Sequence, residues 1–187
     1  MILGILSDTH GELHRTRLAL RVLEQLGATA FIHCGDVGGE DILSELAGRR
    51  AWVVAGNTDF FDSQTVTYAG RLGLTLALTT PLRVELAGRA LAVYHGHEPQ
   101  FHELLEGLHA GQAPADAVAD CRYVLHGHTH VAKHTRYGDY RLVNPGALHR
   151  AARCTVATLD LLADRVQFWD VGASAADRPA QAFGPFR

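Results

Sequence analysis

The first eleven residues, Met1-Ile2-Leu3-Gly4-Ile5-Leu6-Ser7-Asp8-Thr9-His10-Gly11, decide how the rest of the chain is read. The apolar run Ile2 to Leu6 reads as a buried strand. It ends in a polar loop where a carboxylate and an imidazole stand two residues apart. A helix is expected from Leu13 to Leu26, with Leu13, Leu20, Leu23 and Leu26 on one face and Gly27 as its stop. Arg15, Arg17 and Arg21 fall on the other side and read as a solvated face. The pattern then repeats. A strand over Ala28 to Ile32 runs into His33-Cys34-Gly35-Asp36. A short helix over Glu40 to Ala47 leads to a strand over Ala51 to Ala55, which ends in Gly56-Asn57-Thr58-Asp59. Strands alternating with helices in this way make an α/β architecture with parallel strands. In such sheets ligands gather beyond the carboxyl ends of the strands.

Beyond residue 73 the pattern changes. Residues 74 to 79 and 82 to 87 read as strands divided by Pro81, and Gly88-Arg89 turns into a strand over Ala90 to Tyr94. That strand ends in His95-Gly96-His97. Helices are expected over Gln100 to Leu108 and Ala115 to Cys121, and a strand over Arg122 to Leu125 ends in His126-Gly127-His128-Thr129-His130. Tyr140 to Val143 leads into Asn144-Pro145-Gly146, a loop expected near the other polar clusters. The last strands are read over Thr155 to Leu161 and Arg165 to Trp169. Residues 1–171 are read as a single domain. Residues 172–187, rich in Ala, Pro and Gly, are expected to form a loosely ordered tail.

Composition narrows the function. At 187 residues with 47% hydrophobic side chains, the chain is long enough for one well-buried core. A formal charge of −3 gives no basic footprint for nucleic acid. No apolar run has the length of a membrane span. The N-terminus lacks a basic segment and is interrupted by Asp8 and His10, so it does not read as a signal peptide. Three scattered cysteines, Cys34, Cys121 and Cys154, suggest free thiols and a cytoplasmic location. Histidine is abundant: there are 12, and eight lie between His95 and His134.

Five polar clusters follow strand-like segments: Asp8-Thr9-His10, Gly35-Asp36, Gly56-Asn57, His95-Gly96-His97 and His128-Thr129-His130. Each offers carboxylate, amide oxygen or imidazole, donors suited to divalent metals. In an extended segment residues i and i+2 point the same way, so Asp8 with His10, and His128 with His130, can aim into one site. Singly, each cluster is an ordinary loop; all five in order at strand ends point to a metal site. His33 reads as a buried, hydrogen-bonded buttress and Cys34 as core filler. No Gly-x-Ser-x-Gly elbow and no glycine-rich phosphate loop ending in Lys-Ser or Lys-Thr is present.

The ordered set Asp8-x-His10, Gly35-Asp36, Gly56-Asn57, His95 and Gly127-His128-Thr129-His130 resembles the calcineurin-like metallophosphoesterases over about residues 1 to 170. The short chain and Asn144-Pro145-Gly146 are similar to the small, single-domain phosphodiesterase branch. The resemblance implies two packed mixed sheets flanked by helices, a four-layer α/β/β/α sandwich. It implies two divalent ions at the strand ends. Asp8, His10, Asp36 and His130 would hold one ion and Asp36, Asn57, His95 and His128 the other, with Asp36 bridging. Manganese is favoured; Fe²⁺, Ni²⁺, Co²⁺ and Zn²⁺ also suit mixed oxygen and nitrogen donors. Asp36, Asn57 and His95 are accordingly the expected catalytic residues. A hydroxide shared by the two ions would attack phosphorus in line.

One position departs from the family pattern. Many members carry His directly after the motif Asn, where this chain has Thr58. That favours small phosphodiesters over simple monoesters, and leaves Asp59 or His97 as the expected proton donor or supporting hydrogen-bonding group. Two alternatives stand beside the enzyme: a scaffold like the retromer subunit of this fold, and a small nuclease, which the net charge disfavours. No membrane partner is expected, nucleic acid only as a short substrate, and assembly into homo-oligomers is left open.

Overall fold

The computed structural model describes residues 1–114, 118–172 and 182–183. The chain opens as β1 (Ile2–Leu6), α1 (Leu13–Gln25), β2 (Ala28–His33), α2 (Glu40–Glu45) and β3 (Ala51–Val54). These are the expected elements with ends moved by a few residues. Next come α3 (Ser63–Arg71), β4 (Thr75–Ala77), β5 (Leu82–Leu86), β6 (Arg89–Val93) and α4 (Pro99–His109). The rest is β7 (Tyr123–Leu125), β8 (Lys133–Tyr137), β9 (Tyr140–Asn144), β10 (Thr155–Asp160), β11 (Arg165–Asp170) and β12 (Ala182–Phe183).

Among the described residues the strands form two mixed sheets. One has seven strands in the order β12-β11-β10-β1-β2-β3-β4; the other has five, β5-β6-β7-β9-β8. β1, β2, β3 and β4 are parallel to their neighbours, and β10 joins β1 antiparallel. The segment around Pro81 is where the chain leaves the first sheet at β4 and enters the second at β5.

Three apolar layers hold this arrangement together. Leu20 and Leu23 of α1 and Ile42 and Leu43 of α2 pack on Leu6, Phe31, Val53 and Val156 of the first sheet. Leu3, Ile5, Ile32, Val54 and Leu159 on the opposite face of that sheet meet Leu91, Val93, Tyr123, Leu125 and Val143 of the second. Phe101, Leu104 and Leu108 of α4 cover Ala92, Val124 and Leu142 on the outer face of the second sheet. The period-two alternation of β1 explains the division: Leu3 and Ile5 face the second sheet, and Leu6 faces the helices. Each fully buried leucine contributes roughly 1.5–3 kcal/mol. The result is the expected four-layer sandwich, and its parallel strands direct their carboxyl ends to one edge.

Two elements go beyond the sequence expectation. α3 has a Thr65-Val66-Thr67 run that disfavours helix, but Asp62 caps it by accepting from the Gln64 and Thr65 N–H groups at 2.9 and 3.0 Å. β8 is a polar edge strand, held by its antiparallel pairing with β9. The helix expected over Ala115 to Cys121 falls partly outside the described residues, and 118–120 form a turn. Within the expected tail, Ala182–Phe183 pairs with β11; residues 173–181 and 184–187 lie outside the described residues.

Candidate metal centre

The polar loops after β1, β2, β3, β6 and β7 meet at this edge. The first two run side by side past their strands: Asp8 N–H donates to the Gly35 carbonyl at 3.0 Å, and His10 N–H to the Asp36 carbonyl at 2.9 Å. The loop after β7 is tied in by Gly127 N–H, which donates to the His95 carbonyl at 2.7 Å. His128 N–H donates to the Asp8 carboxylate at 3.1 Å. The backbone is strained where the donors sit. Among the described residues eight non-glycines have positive φ, and five of them are Asp8, His10, Asp36, His128 and His130. Asp and His tolerate this conformation better than most residues, and such strain persists only where surrounding contacts enforce it. Two glycines allow the close approach: a Cβ at Gly56 would strike the Asp36 carboxylate, and one at Gly127 would strike Ser7 and Asp8.

Two sets of donors converge. Asp8, His10 and His130 offer ligand atoms within 4.8 Å of one another, and so do Asp8, Asp36 and His95. Asp36 Oδ2 lies 3.5 Å from His10 Nε2 and 3.4 Å from His95 Nε2, so this oxygen faces both histidines. His130 Nε2 lies 3.3 Å from Asp8 Oδ1. His95 Nδ1 donates to the Cys34 carbonyl at 2.8 Å, which leaves Nε2 facing Asn57 Oδ1 at 3.0 Å. An imidazole fixed this way presents its other nitrogen as a metal donor.

The charge distribution fits divalent cations. The Asp8 carboxyl is fully buried, and that burial pushes its pKa up. His10 Nε2 is buried and makes no hydrogen bond. Burial also lowers the pKa of His10 and of His128, keeping both neutral as ligation requires. Burial opposes ionisation of Asp36, but His95 and the Thr58 N–H outweigh it and hold the carboxyl well below its usual range. For His95, burial favours the neutral ring, and Asp36 overrides it and raises the pKa. Clustered carboxylates, an amide oxygen and imidazole nitrogens are the mixed donor types that suit a divalent metal ion.

The remaining expected residues are placed as follows. His128 lies outside both convergent groups, with its ring centroid 5.1 Å from that of His95. The half-exposed His97 stands at the rim, its ring centroid 5.3 Å from that of His95. Asp59 faces the backbone instead: its carboxylate accepts from the Val37, Gly38 and Gly56 N–H groups at 3.0, 2.9 and 2.8 Å. His33 is the expected buttress. Its Nδ1 accepts from Gly35 N–H at 3.2 Å, its Nε2 meets Thr9 Oγ1 at 2.9 Å, and burial lowers its pKa to about 3.

Two supporting residues, Glu98 and His149, were not singled out by their sequence, and a third, Asn144, was expected only as part of a loop near the site. Glu98, buried directly before α4, accepts from the His95 and Gly96 N–H groups at 2.8 and 2.7 Å and from the Thr80 hydroxyl at 2.8 Å. The Asn144 side chain donates to the Gly127 carbonyl at 2.7 Å and to Thr129 Oγ1 at 3.1 Å, pinning the histidine loop. His149 packs its ring 5.0 Å from that of His10. The only sequence signals were Glu98 directly before Pro99 and the Asn144-Pro145-Gly146 triplet, and neither specifies a contact.

Comparison with known proteins identifies the family and the fold. The phosphodiesterase MJ0936 of Methanocaldococcus jannaschii is 26% identical over 148 residues, covering 78% of this chain and 83% of that protein. The solved structure of an archaeal phosphodiesterase superposes with a TM-score of 0.77 at 22% identity, covering 91% of this chain and 99% of that one. Vps29 of Entamoeba histolytica, solved with zinc, gives a TM-score of 0.60 at 16% identity, covering 98% and 97% of the two chains. At these identities the two structures establish the shared fold. Residues 1–164 match the calcineurin-like phosphoesterase superfamily domain, and the chain belongs to that superfamily.

Proposed function

We propose that this protein is a divalent-metal-dependent phosphodiesterase acting on a small diester, with a two-ion centre at the strand ends. The observation that carries the proposal is the convergence of Asp8, His10, Asp36, His95 and His130 on shared space. Bound there, divalent ions would polarise the phosphoryl oxygens and acidify a water for in-line attack on phosphorus. In this reading Asp8, His10 and His130 hold one ion, Asn57, His95 and His128 hold the other, and Asp36 is shared. Mn²⁺ is the favoured metal, with Fe²⁺, Ni²⁺, Co²⁺ and Zn²⁺ as alternatives the donors also suit.

The chain's own residues shape the rest of the chemistry. Thr58 holds Asp36 through its backbone, its N–H 2.9 Å from Asp36 Oδ1. Its hydroxyl is a poor general acid, which supports a diester with a good leaving group over a simple monoester. With Asp59 engaged by three backbone N–H groups, His97 is the better-placed proton donor to a departing oxygen. Among the described residues no helix is long and apolar enough to cross a membrane. The free cysteines suit a reducing cytoplasm.

The test compares bis-p-nitrophenyl phosphate with p-nitrophenyl phosphate, using metal-stripped protein resupplied with Mn²⁺. Metal-dependent turnover favouring the diester is expected; preference for the monoester would refute the assignment to diesters. The scaffold alternative has the likeness to Vps29 behind it, and would show as metal binding without turnover of either ester.

A further inference from the structure

A cavity of about 270 Å³ opens beside the metal centre, between α4 and the β8 edge of the second sheet. Gly96, His128 and Thr129 line it, so the loops carrying the expected ligands form its mouth. β8 supplies one wall. Lys133, Thr135 and Tyr137 alternate along this strand, point to one face and all line the cavity. Thr135 pairs across the sheet with Leu142, whose buried side chain forms part of the floor. The opposite wall is α4, which contributes Phe101, His102 and His109. The His109 and Tyr137 rings meet edge to face across the gap, with centroids 4.9 Å apart.

The lining is selective in kind. It combines aromatic faces with N–H and O–H donors, and among the described residues no carboxylate lines it. A nucleobase matches both features: it has a π face for Tyr137 and the exposed His102, and ring nitrogens or carbonyls that accept from Lys133 and Thr135. A glycerol or alkyl arm has no ring to stack, and a choline-like cation would meet Lys133. The volume suits a base with part of its sugar while the phosphorus remains at the strand ends. The polar side chains Lys133 and Thr135 of β8 thereby acquire a role.

We propose that this cavity is a nucleoside subsite, and that one ester arm of the substrate is a nucleoside whose base stacks between α4 and β8. The proposal rests on the phosphodiesterase reading given above and adds the substrate class. Its test uses two diesters that release the same p-nitrophenolate: the p-nitrophenyl ester of thymidine 5′-monophosphate and methyl p-nitrophenyl phosphate. Base stacking predicts that kcat/KM for the nucleoside ester exceeds that for the methyl ester by about tenfold or more, chiefly through KM. In Tyr137→Ala and, separately, Lys133→Ala, the ratio of the two kcat/KM values should fall at least threefold, through KM and with little change in kcat. Equal kcat/KM for the two esters in the unmodified protein, or a ratio unmoved in both variants, would overturn the subsite.

If neither ester turns over with any divalent ion, the diesterase reading fails on its own. The cavity is then judged by calorimetric titration of metal-stripped protein with adenosine 5′-monophosphate. Binding that weakens at least fivefold in both variants supports the subsite; no binding, or equal binding by the variants, overturns it.

Discussion

Replacing Glu98 with Gln exchanges one carboxylate oxygen for an NH₂ group and should loosen the loop that carries His95. Glu98 is 8% exposed. Oε1 takes the His95 N–H and the Thr80 hydroxyl, and Oε2 takes the Gly96 N–H. A glutamine has only one oxygen. Its best orientation keeps that oxygen on His95 and Thr80, and turns the amide NH₂ against the Gly96 N–H, leaving two donors facing each other. One hydrogen bond to a charged group is lost, at about 1.5–3 kcal/mol, and the others become neutral and weaker. A total of about 3 kcal/mol lowers Tm by about 6–12 °C for a chain of this size. With His95 as a metal ligand, as proposed, misplacing the group that supports it should also weaken metal affinity by about 10–100-fold.

The pH profile supplies an internal control. Burial raises the Glu98 pKa, but the donors on its oxygens outweigh burial and hold it below its ordinary 4.5. A lowered carboxyl contributes stability above its unfolded pKa and loses it as pH falls through the folded value. The Tm gap between wild type and Glu98→Gln should therefore be full at pH 7 and close in acid below about pH 4.5. Thermal unfolding followed by near-UV circular dichroism, with calorimetric Mn²⁺ titration at pH 7, measures both effects. A Tm within 2 °C of wild type together with unchanged metal affinity would refute the role given to Glu98.

Other changes should have distinct outcomes. Asp36→Asn should cut metal-dependent diester turnover by about a hundredfold or more while leaving the far-UV spectrum unchanged, since this carboxylate faces both His10 and His95. Thr58→His should raise the ratio of monoester to diester hydrolysis in steady-state assays, because the backbone N–H that holds Asp36 is retained. Burial lowers His33 to about 3 and His126 to about 4 from an ordinary 6.5. Below pH 6.5 the unfolded chain takes up protons that these two native rings refuse, so stability falls with pH; His95, raised by Asp36, works in the opposite sense. In metal-stripped protein His33 and His126 together should contribute a loss of about 3 kcal/mol between pH 6.5 and 5 in urea unfolding; stability that does not fall across that window would contradict neutral burial of both rings.

How much the sequence disclosed depended on whether an element carries its own pattern. β1, β2 and β3 are apolar runs with abrupt polar ends, so they and the loops at their carboxyl ends could be read directly. Asp8, His10, Asp36 and Asn57 stood in those loops because parallel strands deliver their ends to one edge. α3 was obscured because its Thr65-Val66-Thr67 core resists helix, and Asp62 was the one local signal for it. β8 is a polar edge strand whose Lys133, Thr135 and Tyr137 line a cavity, so no apolar periodicity marks it. Glu98 and the side-chain contacts of Asn144 escaped for a different reason. Their partners are backbone groups of loops that meet them only in the folded chain, and no spacing encodes such a contact. Asp59 and His97 were equal candidates for one task in sequence; the three N–H groups around the Asp59 carboxylate separate them.

The most direct test of the two-ion phosphodiesterase proposal is hydrolysis of bis-p-nitrophenyl phosphate by metal-stripped protein as Mn²⁺ is restored in known ratio to the chain. Activity should be absent without metal and rise until about two ions are bound per chain. Full turnover in the presence of excess chelator, or saturation of both ion sites with no hydrolysis by any divalent metal, would contradict it.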